Sequence, residues 1–514
     1  MSQLPDDCLN EIFEHLEDDK FTLNSCILVN RYWCDASVRI YWRNVQNYST
    51  SNFSTLIACL PKESKEILYN NGIIISTPTL KSPIFNYASF CKILSVDQVY
   101  NKIDKLLKNQ QNISPQSIKN YKLIVAQEIF QMFMKKISSL KSLTFYQFPN
   151  MTFNFYPGAK DCFKKLTILC CSSAIPTELF YQLSQTCYNI QSLNIEFDAI
   201  ISNGIEDLIS VQRNLKRFDM TLCRDLTFGG PTSIILSSLM SKIPNTLIKL
   251  NVYGRDNYFL LSSIANFSNL QELNLSFDHD EYFIKLQYAI FPQLKVLIIP
   301  KEYPRNESLI KFLEINGKNL KEIYISEVTG YNDNSLNLAI AKFCPNLKKL
   351  SAGIECKELE TLKIIFNNCK NLESIKIWCG WKFLSEKEAL ETFAKYSQNI
   401  HELILYHQFK ERFELLPEEL ESFFIKWIDL KPQKSFSLVV VNYDANSLNT
   451  NDENIEIINK YIKLGSFSLV VVNYDAKSLD TNHENIEIIN KYIKLGVIKK
   501  FKVTDFKDKE YNIF

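Results

Sequence analysis

The sequence predicts an α/β chain: a small bundle of three helices, then a long solenoid with a curved parallel sheet on its concave face and helices on its convex face. Three observations predict it. Apolar residues within positions 1–45 fall at helical spacing. From Leu140 onward a six-residue phrase, apolar-x-x-apolar-x-apolar, recurs every 23 to 32 residues. At 514 residues the chain is too long for one globule and calls for several domains or a repeat array. The expected segments are a helical module at 1–45, a helical connector at 46–136, the repeats at 137–434, and terminal strand-helix units at 435–514.

The front module opens with Leu4-Pro5-Asp6-Asp7. Pro5 suits the first turn of a helix, and Asp6 and Asp7 place negative charge near the positive end of its dipole. Leu9, Ile12, Phe13 and Leu16 then share one helix face. Leu23, Cys26, Ile27 and Asn30 continue the rhythm, and Val38 to Trp42 supplies a third short helix. Helices this short bury little surface alone. Some of Leu4, Ile12, Phe13, Leu16, Leu23, Val29, Trp33 and Trp42 should therefore be left for a partner. The ordered pieces Leu4-Pro5, Leu9, Ile12-Phe13, Leu16, Leu28-Val29-Asn30-Arg31-x-Trp33 and Trp42 resemble the F-box, which docks a Skp-type adaptor in SCF ubiquitin ligases. Cys8 departs from the polar residue that many F-boxes carry there. The resemblance implies that Leu4, Pro5, Leu9, Ile12, Phe13, Leu16, Leu23, Val29, Trp33 and Trp42 bind the adaptor and, through it, a cullin-RING ligase. An ordinary helical cap would explain the helices, but not the proline, the tryptophan pair and the apolar excess together.

Between Gln46 and Lys136 the pattern loosens into helical stretches, such as Val96 to Leu107 and Ile124 to Ile137, separated by a loop at Asn109 to Pro115. The phrase then starts at 140, 163, 190, 215, 247, 270, 294, 320, 347, 372 and 400. Strand alternation puts its second and third apolar residues on one face, and no single unit can cover that face, so neighbours must stack. The one long step, from 215 to 247, predicts an insertion around Gly229-Gly230-Pro231. Asparagine precedes the first apolar residue at Asn189, Asn214, Asn269, Asn319, Asn346, Asn371 and Asn399. It tolerates the left-handed geometry expected of a tight helix-to-strand turn. Cys187, Cys344 and Cys369 lie two residues earlier, and Cys171 and Cys223 follow strands. This spacing resembles the cysteine-containing leucine-rich repeats found in many F-box proteins. The cysteines are expected to serve as small, buried packing groups.

Residues 435–465 and 466–496 are tandem copies, differing at Asn446/Lys477, Asn449/Asp480 and Asp452/His483. Each holds an apolar run, Phe-Ser-Leu-Val-Val-Val, a polar turn and a helical pattern ending at Gly465 or Gly496. Phe436, Phe467 and Ile498 are spaced by 31, so the duplication adds one whole unit without breaking register. Both copies are expected to extend the array; the alternative is that one loops out.

With 58 basic and 57 acidic residues the net charge is +1, which gives no general pull toward nucleic acid. No stretch approaches a membrane span, and the first residues carry no basic flank or apolar signal core. Fourteen cysteines without a Cys-x-x-Cys pair, and five scattered histidines, read as reduced thiols in a cytoplasmic or nuclear protein with no metal site. No phosphate loop, HExxH or GxSxG occurs. The densest cluster, Asp278-His279-Asp280-Glu281, reads as a solvated loop. No catalytic residue and no cofactor is expected, since the resemblance implies an adaptor that holds a protein substrate near an enzyme recruited elsewhere. The substrate surface is expected on the outward strand positions. Tyr146, Tyr253, Trp378 and Tyr406 form its aromatic column, and Lys348, Lys349 and Lys376 form part of a basic strip suited to an acidic or phosphorylated partner. The other reading is a leucine-rich-repeat scaffold or inhibitor acting without ubiquitination.

Overall fold

The computed structural model describes residues 6–78, 83–108, 115–146, 156–223, 231–254, 258–276, 280–300, 304–325, 334–380, 382–397, 399–407, 417–430, 436–442, 457 and 467–473. The chain divides into two compact units, Met1–Leu247 and Ile248–Phe514.

The first unit begins with helices α1 (Asp6–Glu14), α2 (Lys20–Ile27) and α3 (Arg31–Tyr41). Asp19 caps α2 by accepting from the Thr22 N–H, and Asn30 caps α3 by accepting from the Trp33 N–H at 2.8 Å. Leu9, Phe13, Leu23, Cys26 and Ile40 form the small core between the three helices. Trp42 is buried on the far side, its ring 4.9 Å from Tyr48 and 4.3 Å from Tyr87. It seals the module onto the segment that follows.

That segment holds α4 (Thr50–Ala58), α5 (Lys62–Asn70), α6 (Val96–Lys108) and α7 (Pro115–Lys136), but it is not wholly helical. Strand β1 (Ile93–Ser95) pairs in parallel with β2 (Ser142–Phe145), Leu94 opposite Leu143. The sheet therefore starts inside the stretch expected to be a helical connector. The reason is visible in Cys91-Lys92-Ile93-Leu94-Ser95-Val96, which is the strand phrase with cysteine in its first apolar place. Cys91, Leu94 and Val96 are all fully buried.

The unit continues through β3 (Ile168–Ser172), β4 (Ser192–Phe197) and β5 (Arg217–Leu222), each parallel to its predecessor. Leu143, Leu169, Leu193 and Phe218 stand in one row and turn inward. Helices α8 (Ala159–Phe163), α9 (Thr177–Ser184), α10 (Gly204–Ser210) and α11 (Pro231–Lys242) alternate with these strands. Of the expected insertion, Gly229 and Gly230 lie outside the described residues, and Pro231 begins α11.

The second unit repeats the arrangement with β6 (Lys249–Tyr253), β7 (Glu272–Leu275), β8 (Val296–Ile299), β9 (Glu322–Ile325), β10 (Lys349–Ala352), β11 (Ser374–Cys379) and β12 (Glu402–His407). The duplicated runs follow as β13 (Phe436–Asn442) and β14 (Phe467–Asn473). All neighbours are parallel and in chain order. Leu250, Leu273, Leu297, Ile323, Leu350, Ile375, Leu403 and Leu438 form the inward row. Helices α12 (Tyr258–Ile264), α13 (Asn306–Asn316), α14 (Asn334–Phe343), α15 (Leu359–Asn368), α16 (Glu386–Tyr396) and α17 (Pro417–Leu430) alternate with them, and a 3-10 turn (Asp280–Lys285) stands between β7 and β8. One helical piece per parallel strand, with Leu at matching places, is the leucine-rich-repeat arrangement. Both duplicated strands join it: β13 pairs β14 with identical residues opposite one another, from Phe436 and Phe467 to Asn442 and Asn473. The helical part of each copy, apart from Ile457, lies outside the described residues.

Candidate partner-binding surfaces

The helical module has two kinds of apolar residue. Leu9, Phe13 and Leu23 are almost inaccessible because they fill its own core, and Trp42 is buried against Tyr48 and Tyr87. These four, expected to meet an adaptor, instead hold the module together. Ile12 and Val29 are 48% and 57% exposed. Leu16 and Trp33 are half-buried at the rim of the core, with Trp33 edge-on to Phe13 at 5.3 Å. Leu4 and Pro5 lie outside the described residues. Two further apolar side chains that were not among the expected adaptor contacts, although Leu28 belongs to the motif, face solvent: Phe21, 85% exposed, and Leu28, 81% exposed. Phe21 lies in the first turn of the short helix α2 and Leu28 is its C-cap, where the periodicity carries little facial information. An exposed Phe or Leu forgoes about 1.5–3 kcal/mol of burial, so a partner that covered this group would gain substantially.

Charge frames the module. Arg43 holds both Glu14 and Glu17, and the hydrogen bond from its guanidinium keeps the Glu14 carboxyl below its ordinary value.

The expected aromatic column on the sheet is not one open surface. Trp378 and Tyr406 are buried, their ring centroids 4.2 Å apart, in a cluster with Phe383, Ile404 and Val439. Lys376 is buried too, its Nζ 4.4 Å from the Tyr406 ring centre and 5.4 Å from that of Trp378. Its positive charge is held against π faces and not offered to solvent. Tyr253 is half-buried and accepts from Asn274 Nδ2 at 3.0 Å, whereas Tyr146 belongs to the first unit, where its backbone N–H donates to Asp97. Alternation predicted an exposed outward row; in β6, β7, β10 and β11 its central members Asn251, Asn274, Ser351 and Lys376 are all buried.

Lys348 and Lys349 diverge despite being adjacent. Lys349 points along the sheet face to Glu322 at 3.7 Å. Lys348 turns to the strand-entry edge, where it pairs with Glu373 at 2.5 Å and lines a groove of about 540 Å³.

Asn319 departs from the left-handed turn expected of the repeat asparagines. Asn319 ends a 3-10 turn (Gly317–Asn319), which is right-handed. Its Nδ2 donates to Pro292 O, Asn346 donates to Lys318 O, and Asn399 donates to Lys370 O. Each asparagine thus ties its turn to the preceding unit. Cys187 and Cys369 behave as packing groups, their thiols donating to the preceding unit's Phe163 O and Cys344 O, with burial pushing the Cys187 thiol up to about 11 and that of Cys369 to about 12. Of the Asp278-His279-Asp280-Glu281 cluster, Asp278 and His279 lie outside the described residues. No helix among the described residues is long and apolar enough to cross a membrane.

Comparison with known proteins agrees with the front of the chain. Residues 1–41 match the family model of the F-box domain. No curated protein matches the chain. Among solved structures, the leucine-rich repeat-containing protein LegL7 from Legionella pneumophila is similar at 17% identity and a TM-score of 0.35, over 52% of this chain and 92% of that one. This chain thus carries an F-box domain at residues 1–41, ahead of units arranged as leucine-rich repeats.

Proposed function

We propose that the chain is the substrate-recognition subunit of an SCF-type E3 ubiquitin ligase. F-box proteins are generally non-catalytic adaptors, and in this reading the F-box docks a Skp-type adaptor, and through it a cullin-RING ligase, while the repeats hold a protein substrate. Rate enhancement then comes from keeping the substrate near a recruited conjugating enzyme. One observation carries the reading: the helical module has a filled core, yet Ile12, Phe21, Leu28 and Val29 remain exposed on it. Those four, with the rim residues Leu16 and Trp33, are the proposed adaptor contacts.

Copurification with a Skp-type adaptor tests this. Replacing Phe21 and Leu28 together by glutamate should cut adaptor capture at least tenfold, because the substitution puts charge where apolar burial drives docking. Thermal melting should be unchanged, since neither side chain contributes to the core. Failure of the unaltered chain to capture the adaptor, or undiminished capture by the double variant, rejects the reading.

A further inference from the structure

We infer that the groove at the strand-entry edge of the second unit binds an anionic peptide segment of the protein partner, with a phosphoryl or carboxylate group seated over Lys321. The inference rests on the adaptor reading, because it assigns part of the substrate surface of the repeats.

The groove is built by position, not by chance side chains. Its wall is the second residue of the strand phrase in successive units: Lys295, Lys321, Lys348 and then Glu373. Backbone hydrogen bonds run from Lys321 N to Lys295 O and from Lys348 N to Lys321 O, both 2.7 Å, so the three lysines stand on adjacent rungs. Adjacent rungs lie about 4.8 Å apart, which places three ammonium stems within about 10 Å. The turns between helix and strand form the other side, through Lys318 and the asparagines Asn319, Asn346, Asn371 and Asn399.

The charges there are unevenly satisfied. Lys348 is paired with Glu373, and Lys295 donates to the neutral Gln271 Oε1 at 2.8 Å. Among the described residues, no carboxylate lies within ion-pair distance of Lys321 or Lys318. Four lysines against one glutamate leave a local excess of positive charge on a molecule whose net charge is only +1. An anion over Lys321 would have Lys295 and Lys348 on either side and Lys318 across the groove.

A peptide fits better than a nucleic acid. The lysine row spans three rungs and ends in Gln271 on one side and the Glu373 carboxylate on the other, so a longer polyanion would meet a like charge within one rung. Asn319 donates one Nδ2 hydrogen to Pro292 O, and its second amide hydrogen and its side-chain carbonyl are groups of the kind that bond a peptide backbone. No residue of the wall or of the turns belongs to the inward row that holds the sheet together.

The test uses the full-length chain and fluorescently labelled twelve-residue peptides: one carrying a central phosphoserine, one carrying three central glutamates, and one neutral. A single-stranded DNA oligonucleotide is the fourth probe. The anionic peptides should bind at least tenfold more tightly than the neutral one, and the advantage should shrink as salt rises. Whichever anionic peptide binds more tightly names the source of the anion. Lys321→Glu should remove the advantage, Lys318→Gln should reduce it, and neither should shift the melting temperature. Equal binding of neutral and anionic peptides, tighter binding of the oligonucleotide, or full binding by Lys321→Glu overturns the proposal. Adaptor capture is read in parallel on the same variants: its loss in the unaltered chain would sink the ligase reading alone, and loss of peptide preference with capture intact would sink the groove alone.

Discussion

Arg43 closes the helical module by reaching from just beyond α3 to Glu14 at the end of α1 and to Glu17 in the following turn. Its hydrogen bond holds the Glu14 pKa below the ordinary value, so the bridge stabilises the fold above that value and its contribution is lost as pH falls through the lowered one. The Glu14 side chain is nearly half exposed, and solvent screening limits the effect. Glu14→Gln should cost about 0.5–1 kcal/mol at neutral pH, with the difference from the unaltered chain shrinking at an acidic pH below the ordinary carboxylate range. Melting curves at the two pH values check the sign; a difference that grew on acidification would refute it. At this scale the sequence told which residues are apolar, but not which way each one points. Leu9 and Ile12 lie on the same predicted face, yet one is buried and the other is half exposed, because α2 and α3 cover only part of that face. Lys376 was misread for a related reason: alternation placed it outward, and only the neighbouring strands show that Trp378 and Tyr406 close around it.

Elements were more legible than residues, because each strand repeats one phrase and each repetition confirms the others. The exception, β1, was hidden by Cys91 in a leucine position, although its burial makes it an adequate substitute. Less visible still were the buried amides that join successive turns. Asn316, at the end of α13, accepts from Phe291 N–H at 2.8 Å and donates to Ala289 O at 2.9 Å. In the first unit Gln212 does the same, accepting from Ile190 N–H at 2.8 Å and donating to Cys187 O at 2.6 Å. One device is thus built from two residue types at non-identical positions, which defeats a motif search. Asn316→Leu would leave a buried N–H and a buried carbonyl unpaired, and should destabilise the second unit by about 2 kcal/mol or more. Chemical unfolding measures this; a loss under about 0.5 kcal/mol would mean that water replaces the amide.

Across the whole molecule, function and stability divide between a helical module in the first unit and arrays in which each strand depends mainly on its neighbours. In such arrays the contribution of a unit is nearly local. The tandem copies allow a direct measurement of that locality. β13 and β14 present identical residues at every paired position, so β12 would meet the same strand whichever copy were removed. Deleting 435–465 or deleting 466–496 leaves chains that differ only at the three variable positions, where Asn, Asn and Asp alternate with Lys, Asp and His. All three positions fall in polar stretches of the copies and outside the described residues, and the two deletion proteins should melt within about 1 °C of each other, because polar-for-polar exchanges in such stretches usually change stability little. Both should still capture a Skp-type adaptor, since the F-box at 1–41 lies in the other unit. Unequal melting would show that one copy makes contacts its twin cannot, and loss of adaptor capture would show that the end of the array supports the front of the chain.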